Sequence, residues 1–398
     1  MALSDVSALG SLESRIILGL MSGTSVDGLD MAVCRFTGSG LHTQCEVMHF
    51  DSTPYSAEQR AVLLQLATSP DVNMEAFTLI HTQLAHWHAA MIGQKLKQWD
   101  LPASGIDVIA SHGQTVRHAP ARIHNQPGIP NATLQIGDAD HLAYLTGIPV
   151  ISDFRQKHVA AGGEGAPLSA YGDAILFSNP GEFRILLNIG GISNITVLDG
   201  QPDSGLPLTF DTGPGNTLMD KFIRLTGDDA RYDDGGRVAA LGKVHQGLLQ
   251  ALKTHPYYQD APPKTTGPEL LSTTYVEEAR RVSGTTDIAV ENLLATLNRL
   301  SAETIAEAIL RFAKPPGAFT VYVSGGGVHN PVLMENLAEA LPQGRVTSFA
   351  ALGIDPDAKE AVLFAAMANE FLCGNRFEVT DGQGNSHWVS LGRLSLAD

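Results

Sequence analysis

The sequence predicts a duplicated α/β fold, two mixed-sheet domains that each carry a glycine-bearing hairpin tip. Three observations predict it. Ile17–Phe36 (ILGLMSGTSVDGLDMAVCRF) reads as strand, polar glycine tip, strand, and Ile185–Leu198 (ILLNIGGISNITVL) repeats that order. Val108–His118 (VIASHGQTVRH) and Val321–Pro331 (VYVSGGGVHNP) both read as strand, serine, glycine-bearing turn. A length of 398 residues also exceeds what one hydrophobic core usually serves.

The repeat is far longer than a solenoid period, so two copies mean two domains facing a cleft. Duplicated domains with hairpin phosphate loops suggest the actin-like (RNase H-like) architecture of actin, hexokinase and Hsp70. That plan has two mixed five-stranded sheets with flanking helices and ATP clamped between them. The boundary is expected near residue 156, giving domain I over 15–155 and domain II over 156–398.

Arg15–Leu20 and Leu29–Phe36 are apolar runs separated by Gly, Ser, Thr and Asp, which predicts a hairpin. Gln44–Phe50 extends it. Ala57–Thr68 and Glu75–Trp99 carry helical spacing, and Ile106–Ser111 and Ile148–Ser152 read as strands. In the second half Phe183–Asn188, Ile195–Leu198 and Leu206–Phe210 are predicted strands. Pro214–Leu225 follows as a helix with proline in its first turn, where a missing N–H costs little. Asp287–Ala313 places Leu293, Leu294, Leu297, Leu300, Ile305 and Ile309 on one helical face. Phe319–Ser324 is a strand, and Pro331–Ala340 and Ala358–Leu372 are helices. Residues 1 to about 14 are small and polar and predict a loose leader.

Hydrophobic residues make up 43% of the chain and charged residues only 17%, below the roughly 25% of ordinary domains, so long disordered stretches are not expected. The net charge of −16 and the lack of a basic run exclude nucleic-acid binding as a main function. The three cysteines, Cys34, Cys45 and Cys373, form no C-x-x-C pair, which fits a reducing compartment. No apolar run reaches the roughly 18 residues of a membrane helix, and the N-terminus lacks the pattern of a signal peptide. A soluble intracellular protein is expected.

Gly23-Thr24-Ser25-Val26-Asp27-Gly28-Leu29-Asp30 is the candidate phosphate loop. Glycines let the backbone approach phosphate oxygens, Thr24 and Ser25 add hydroxyl donors, and Asp27 and Asp30 could hold Mg²⁺. It is not a Walker loop, having no lysine and a strand after it. Alone it could be an ordinary hairpin turn; its echo at Asn188–Asn194, with Gly190 and Gly191, favours phosphate. Ser324–Gly327, with Gly325 and Gly326, is either a flat surface for a nucleotide or a tight β–α connection. Asp211, at a strand end, is either a general base or a cap. Arg155 either forks onto a carboxylate or pairs with Asp153. Ala160–Leu168 is a hinge, a lid or a linker. Glu360 opens the last helix, where the dipole favours an acid. His112 either orients substrate or bonds its turn. His81, His86 and His88 read as surface or half-buried, and no zinc spacing exists.

The segments LGLMSGTSVDGLD, SHGQTVRH, DFRQKHVAAGGEGAPL, LNIGGISN, FDTGPGN with LMD, SGGG with HN, and GID with KEA resemble one family closely, the anhydro-N-acetylmuramic acid kinases. They occur in that family's order and span roughly residues 16 to 372. The resemblance implies a phosphotransferase with an alcohol group as acceptor. It would open 1,6-anhydro-N-acetylmuramic acid with water, phosphorylate O6 from ATP with Mg²⁺, and so recycle cell-wall sugars. It implies that Gly23–Asp30 bind ATP phosphates and that Asp211 activates the water. It places Arg155, Glu360 and, more weakly, Thr115 at the substrate, with Arg155 pairing the lactyl carboxylate. It also implies a cytoplasmic homodimer. Against the family pattern, Ala121–Asn131 reads as an insertion.

Overall fold

The computed structural model describes residues 3–69, 71–201, 207–225, 231–267 and 271–397. It divides into two units, 1–177 with 357–398, and 178–356.

In the first unit the strands are β1 (Ser14–Ser22), β2 (Gly28–Thr37), β3 (Gln44–Pro54), β4 (Val108–Ala119), β5 (Ala132–Ile136) and β6 (Val150–Ser152). The second unit holds β7 (Arg184–Ile189), β8 (Ile192–Leu198), β9 (Leu208–Pro214), β10 (Phe319–Ser324) and β11 (Gly344–Ser348). The chain then returns to the first unit with β12 (Phe377–Thr380), β13 (Ser386–Val389) and β14 (Arg393–Ser395).

The two main sheets share one plan. In the first the order β3-β2-β1-β4-β6 has β1, β2 and β3 antiparallel, with β4 parallel to β1 and β6 parallel to β4. In the second the order β9-β8-β7-β10-β11 repeats those senses strand for strand. This repetition is the predicted actin-like duplication. The first sheet differs from the expected five strands. Antiparallel β5 on β4 and β14 on β6 bring it to seven. Both additions are short, and β14 pairs with a strand more than 240 residues earlier, a contact no local pattern announces.

Ile17, Leu18 and Leu20 are all buried, so β1 is covered on both faces and reads as a continuous apolar run. One cover is the helix Lys359–Leu372. A Cβ at Gly19 would stand 2.0 Å from the Ala361 carbonyl oxygen, so only glycine lets that helix lie this close to β1. This packing puts residues 357–398 in the first unit, whereas the sequence reading placed them in domain II. That reading also cut the chain at 155/156, while the unit continues through the helix Ser169–Phe177.

The second core forms where Leu293, Leu294, Leu297, Leu300 and Ile305 of the helix Val290–Ala308 meet Ile185, Leu187, Val321 and Val323. The helix continues as a π-helical turn, Ile309–Ala313.

Two further expectations are corrected. The supposed leader contains a helix, Leu3–Leu9, with Val6 and Leu9 buried three residues apart on one face. The Cys373 thiol contacts the Gly10 carbonyl just beyond it. Pro214 ends β9, and the helix begins at Thr217. Gly215 and Asn216 turn their N–H groups to the Gly191 and Gly190 carbonyls, which delays the helix. Leu206, where the sequence reading began β9, lies outside the described residues. The expected insertion opens with a helical turn, Ala121–His124. No helix among the described residues is long and apolar enough to cross a membrane.

Candidate active site

The β1–β2 tip is a turn closed by the Val26 N–H donating to the Gly23 carbonyl at 3.2 Å. Val26 has φ 55°, the left-handed region, where a β-branched residue is an outlier. Such strain costs about 1–3 kcal/mol. Its side chain is wholly buried beside Tyr55, Leu63, Leu84, Val116 and Ile136, which offsets the strain by about 1.5–3 kcal/mol. The result is a tip that leaves Thr24, Ser25 and Asp27 exposed. Leu29, included in the candidate loop, is buried in β2, so its side chain cannot meet a ligand. Arg60 braces the outside, with Nη2 at 3.3 Å from the Ser25 carbonyl and 3.5 Å from Asp27. Burial raises the Asp30 carboxyl above its ordinary range, a Ser52 hydrogen bond opposes this, and Asp357 adds to the rise.

A buried chain of polar groups stands behind the tip. His88 Nε2 lies 2.8 Å from Tyr55 Oη, which donates to Ser22 Oγ at 2.9 Å. Ser22 Oγ donates to Gln114 Oε1 at 2.6 Å, and Gln114 Nε2 donates to the Gly23 carbonyl at 3.0 Å. The Tyr55 N–H donates to the Asp27 carbonyl. Both ends of the tip are therefore anchored in the core. His88 is buried, against the expectation of a surface or half-buried ring.

The same unit gathers three further motifs. His112 of β4 and Arg155 meet, with Arg155 Nε donating to His112 Nε2 at 3.0 Å. Arg155 Nη1 donates to the Gly165 carbonyl at 2.7 Å, which fixes the glycine-rich segment. Asp153 pairs instead with Arg393 at 3.1 Å, so the Asp153–Arg155 alternative is set aside. Glu360 stands solvent-accessible at the head of its helix. Its carboxyl is raised by desolvation and by Asp30, while Arg155 and Lys359 oppose the rise. Thr115 is half-buried, and its hydroxyl accepts from Gln135 at 3.2 Å.

His112 must be neutral to accept from a guanidinium. Burial and then Arg155 push its pKa down to about 3, and burial alone pushes His88 down to about 4, from an ordinary 6.5. Below pH 6.5 the unfolded chain therefore binds more protons at these two sites, and stability falls as pH falls. From pH 7 to pH 5 each ring is expected to cost about 2 kcal/mol. Urea unfolding across that range should show it, and His88→Gln and His112→Asn should each flatten the pH slope. An unaltered slope in both would contradict it.

In the second unit the β7–β8 tip, Gly190–Gly191, is clasped by the end of β9. The Gly190 carbonyl accepts from the Asn216 N–H at 2.8 Å, and the Gly191 carbonyl accepts from Gly215 and Thr217. Gly325 follows β10 with φ 78°, and a Cβ there would stand 2.7 Å from Asn188 Oδ1 and from the Ile189 carbonyl oxygen. Exposed Gly326 lines a cavity of about 610 Å³ with Asn216, Asp220, Asp234, His329 and Asn330.

Asp211 is half-buried on β9. Its Oδ2 accepts from the Thr266 N–H at 2.9 Å, and its carbonyl accepts from Tyr257 Oη at 2.6 Å. Burial raises the carboxyl above its ordinary range against that one hydrogen bond. No helix begins at Asp211, so the capping alternative gives way to a carboxylate held on a strand.

The first unit thus brings together Gly23–Asp30, His112, Thr115, Arg155 and Glu360, and the second brings together Gly190, Gly191, Gly325 and Gly326. Sequence reasoning missed Ser22, Tyr55, Gln114, Tyr257, Lys264 and Thr266. Ser22 and Gln114 stood inside motifs and could have been found; the others carry no local signal.

The model of the family "Anhydro-N-acetylmuramic acid kinase" matches residues 15–397. A protein of that name from Pseudoalteromonas translucida is 44% identical over 97% of this chain and 96% of its own. One from Pseudoalteromonas atlantica is 46% identical over the same shares. Among solved structures, a ROK hexokinase from Thermus thermophilus aligns with 89% of this chain and 98% of its own at 15% identity and a TM-score of 0.35, too loose a likeness to argue from. The matched residues and the relatives agree, and this chain belongs to the anhydro-N-acetylmuramic acid kinase family.

Proposed function

We propose that this protein is an ATP-dependent kinase that hydrolytically opens 1,6-anhydro-N-acetylmuramic acid and phosphorylates O6. The products are N-acetylmuramic acid 6-phosphate and ADP, in the recycling of cell-wall peptidoglycan. The observation that carries the chemistry is Asp211, a half-buried carboxylate tied at one oxygen and raised by burial, the state that suits a general base.

The ether oxygen O6 is no nucleophile while it bridges to C1. Asp211 takes a proton from water as the water oxygen bonds to C1. The C1–O6 bond breaks, and its electron pair stays on O6. O6 then attacks the γ-phosphorus, ADP departs, and Asp211 returns its proton to solvent. Placing the reactants supplies most of the acceleration.

Gly23–Asp30 and Gly190–Gly191 hold the ATP phosphates, with Thr24 and Ser25 as exposed hydroxyl donors. Gly325, Gly326 and the cavity beside them take the adenosine, where Asp220 and Asp234 suit ribose hydroxyls. Arg155 meets the lactyl carboxylate with the guanidinium edge that His112 and Gly165 leave open. Glu360 and Thr115 meet the sugar. No group of three His, Cys, Asp or Glu side chains is placed to hold a metal among the described residues. Mg²⁺ would be held by the nucleotide phosphates and one or two carboxylates, here Asp30 and Asp27. When bound, Mg²⁺ neutralises charge developing on the phosphates.

The reading extends to a homodimer in the cytoplasm, and the three free cysteines suit a reducing compartment. Product analysis tests the function. MgATP and the anhydro sugar should give one 6-phosphosugar per ADP, and ADP without phosphosugar would sink the reading.

A further inference from the structure

Asp211 sits on β9, the edge strand of its sheet, so among the described residues no strand pairs with the outer side of its backbone. A loop fills that side. The Asp211 N–H donates to the Lys264 carbonyl at 3.1 Å, and two residues on, the Thr266 N–H reaches Asp211 Oδ2. From the other direction Tyr257 Oη donates to the Asp211 carbonyl. Lys264 closes the ring, its Nζ donating to the Tyr257 carbonyl at 3.0 Å. Asp211, Lys264 and Tyr257 therefore form a cycle of contacts that begins and ends at Asp211.

The Lys264 side chain is held in an unusual setting. Its ammonium lies 4.5 Å from the Tyr257 ring centroid, 5.1 Å from that of Phe312 and 6.0 Å from that of Phe210. A lysine ammonium is strongly hydrated, so it leaves water for such a cage only with compensation from ring faces and a carbonyl. Phe312 is delivered by the π-helical turn Ile309–Ala313, and π-helical turns gather at functional sites. Among the described residues no ion pair engages Lys264. Its partners are the cage and the loop. A cavity of about 420 Å³, lined also by Thr212, Thr304 and Arg311, opens beside it.

We propose that Lys264 is a positioning residue for Asp211, locking Tyr257 and the 264–266 segment so that Oδ2 is tied to Thr266 and Oδ1 is aimed at the attacking water. This rests on the reading of Asp211 as the base. Lys264 touches no reacting atom. It acts through the backbone of its own segment and through Tyr257, and its absence leaves the carboxylate on a free strand edge.

Lys264→Met keeps the stem and removes the charge, and Lys264→Arg keeps a cation for the rings and the carbonyl. Steady-state kinetics with MgATP and the anhydro sugar should give Lys264→Met a kcat lowered about tenfold to a hundredfold, the scale of a misplaced catalytic group. KM for ATP should stay within about twofold, and Lys264→Arg should recover most of the rate. A Lys264→Met kcat within about twofold of the parent overturns the proposal. So does a Lys264→Arg rate no better than Lys264→Met, or a KM for ATP that rises in step with the loss, which marks general damage. Asp211→Asn measured alongside separates the two readings. Parental turnover in Asp211→Asn removes the base itself, whereas an inert Asp211→Asn with a normal Lys264→Met removes only the bracket.

Discussion

Asp211→Asn is expected to abolish phosphosugar formation while ATP still binds. The amide has the size of the carboxylate, and its oxygen can still accept from the Thr266 N–H, so the bracket around it survives. What it cannot do is take a proton from water. General-base catalysis contributes about 10²–10⁴-fold, and with the proton acceptor for the attacking water removed the loss should reach the upper end. Because burial raises the Asp211 carboxyl, the acid limb of kcat/KM in the parent should lie above the ordinary aspartate value of 3.8, with activity lost as pH falls through it. Steady-state rates across pH and a separate ATP titration check both halves. A variant within tenfold of the parent would remove Asp211 from its role.

The second large effect is expected at Arg155. Arg155→Met removes the donors to His112 Nε2 and to the Gly165 carbonyl together with the charge offered to the lactyl group. A charged hydrogen bond is worth about 1.5–3 kcal/mol, so KM for the anhydro sugar should rise about tenfold to a hundredfold. KM for ATP should change little. Arg155→Lys should not restore the sugar KM, because one ammonium cannot meet His112, Gly165 and a carboxylate in the directions a planar fork does. The variant should also unfold earlier, since the His112 ring is buried and loses its partner. A sugar KM unchanged in Arg155→Met would place the lactyl group elsewhere.

Much of this architecture was legible because its signals are local. The β1–β2 tip shows as glycine and hydroxyl residues between apolar runs, and its echo at Gly190–Gly191 shows the duplication. The helices Ala57–Thr68 and Pro331–Ala340 and the strand Phe319–Ser324 start and stop where caps and turns say they should. Features set by distant packing were hidden. Lys359–Leu372 belongs to the first unit because Gly19 lets it lie on β1, a contact more than 340 residues apart. His88 falls on the buried stripe Leu84, Ala85, Ile92 and Leu96 of its helix, but the partner that lets an imidazole lie there, Tyr55, comes from another element. Pro214 looked like a helix start, but the clasp between Gly215, Asn216 and the β7–β8 tip holds the chain in strand geometry. At Asp211 the residue was legible and its support was not. Tyr257, Lys264 and Thr266 lie about 50 residues downstream; the last two reach it through backbone groups, which leave no mark on residue type, and Tyr257 reaches it with a hydroxyl that no local pattern ties to Asp211.

The central claim is that water opens the sugar at C1 and the freed O6 receives the phosphoryl group. Turnover in ¹⁸O-water with unlabelled MgATP and anhydro sugar, quenched early and read by mass spectrometry, tests it most directly. The account predicts one ¹⁸O at C1 of the product and an unlabelled phosphate on O6. Label in the transferred phosphate, or an unlabelled 6-phosphosugar, would contradict it.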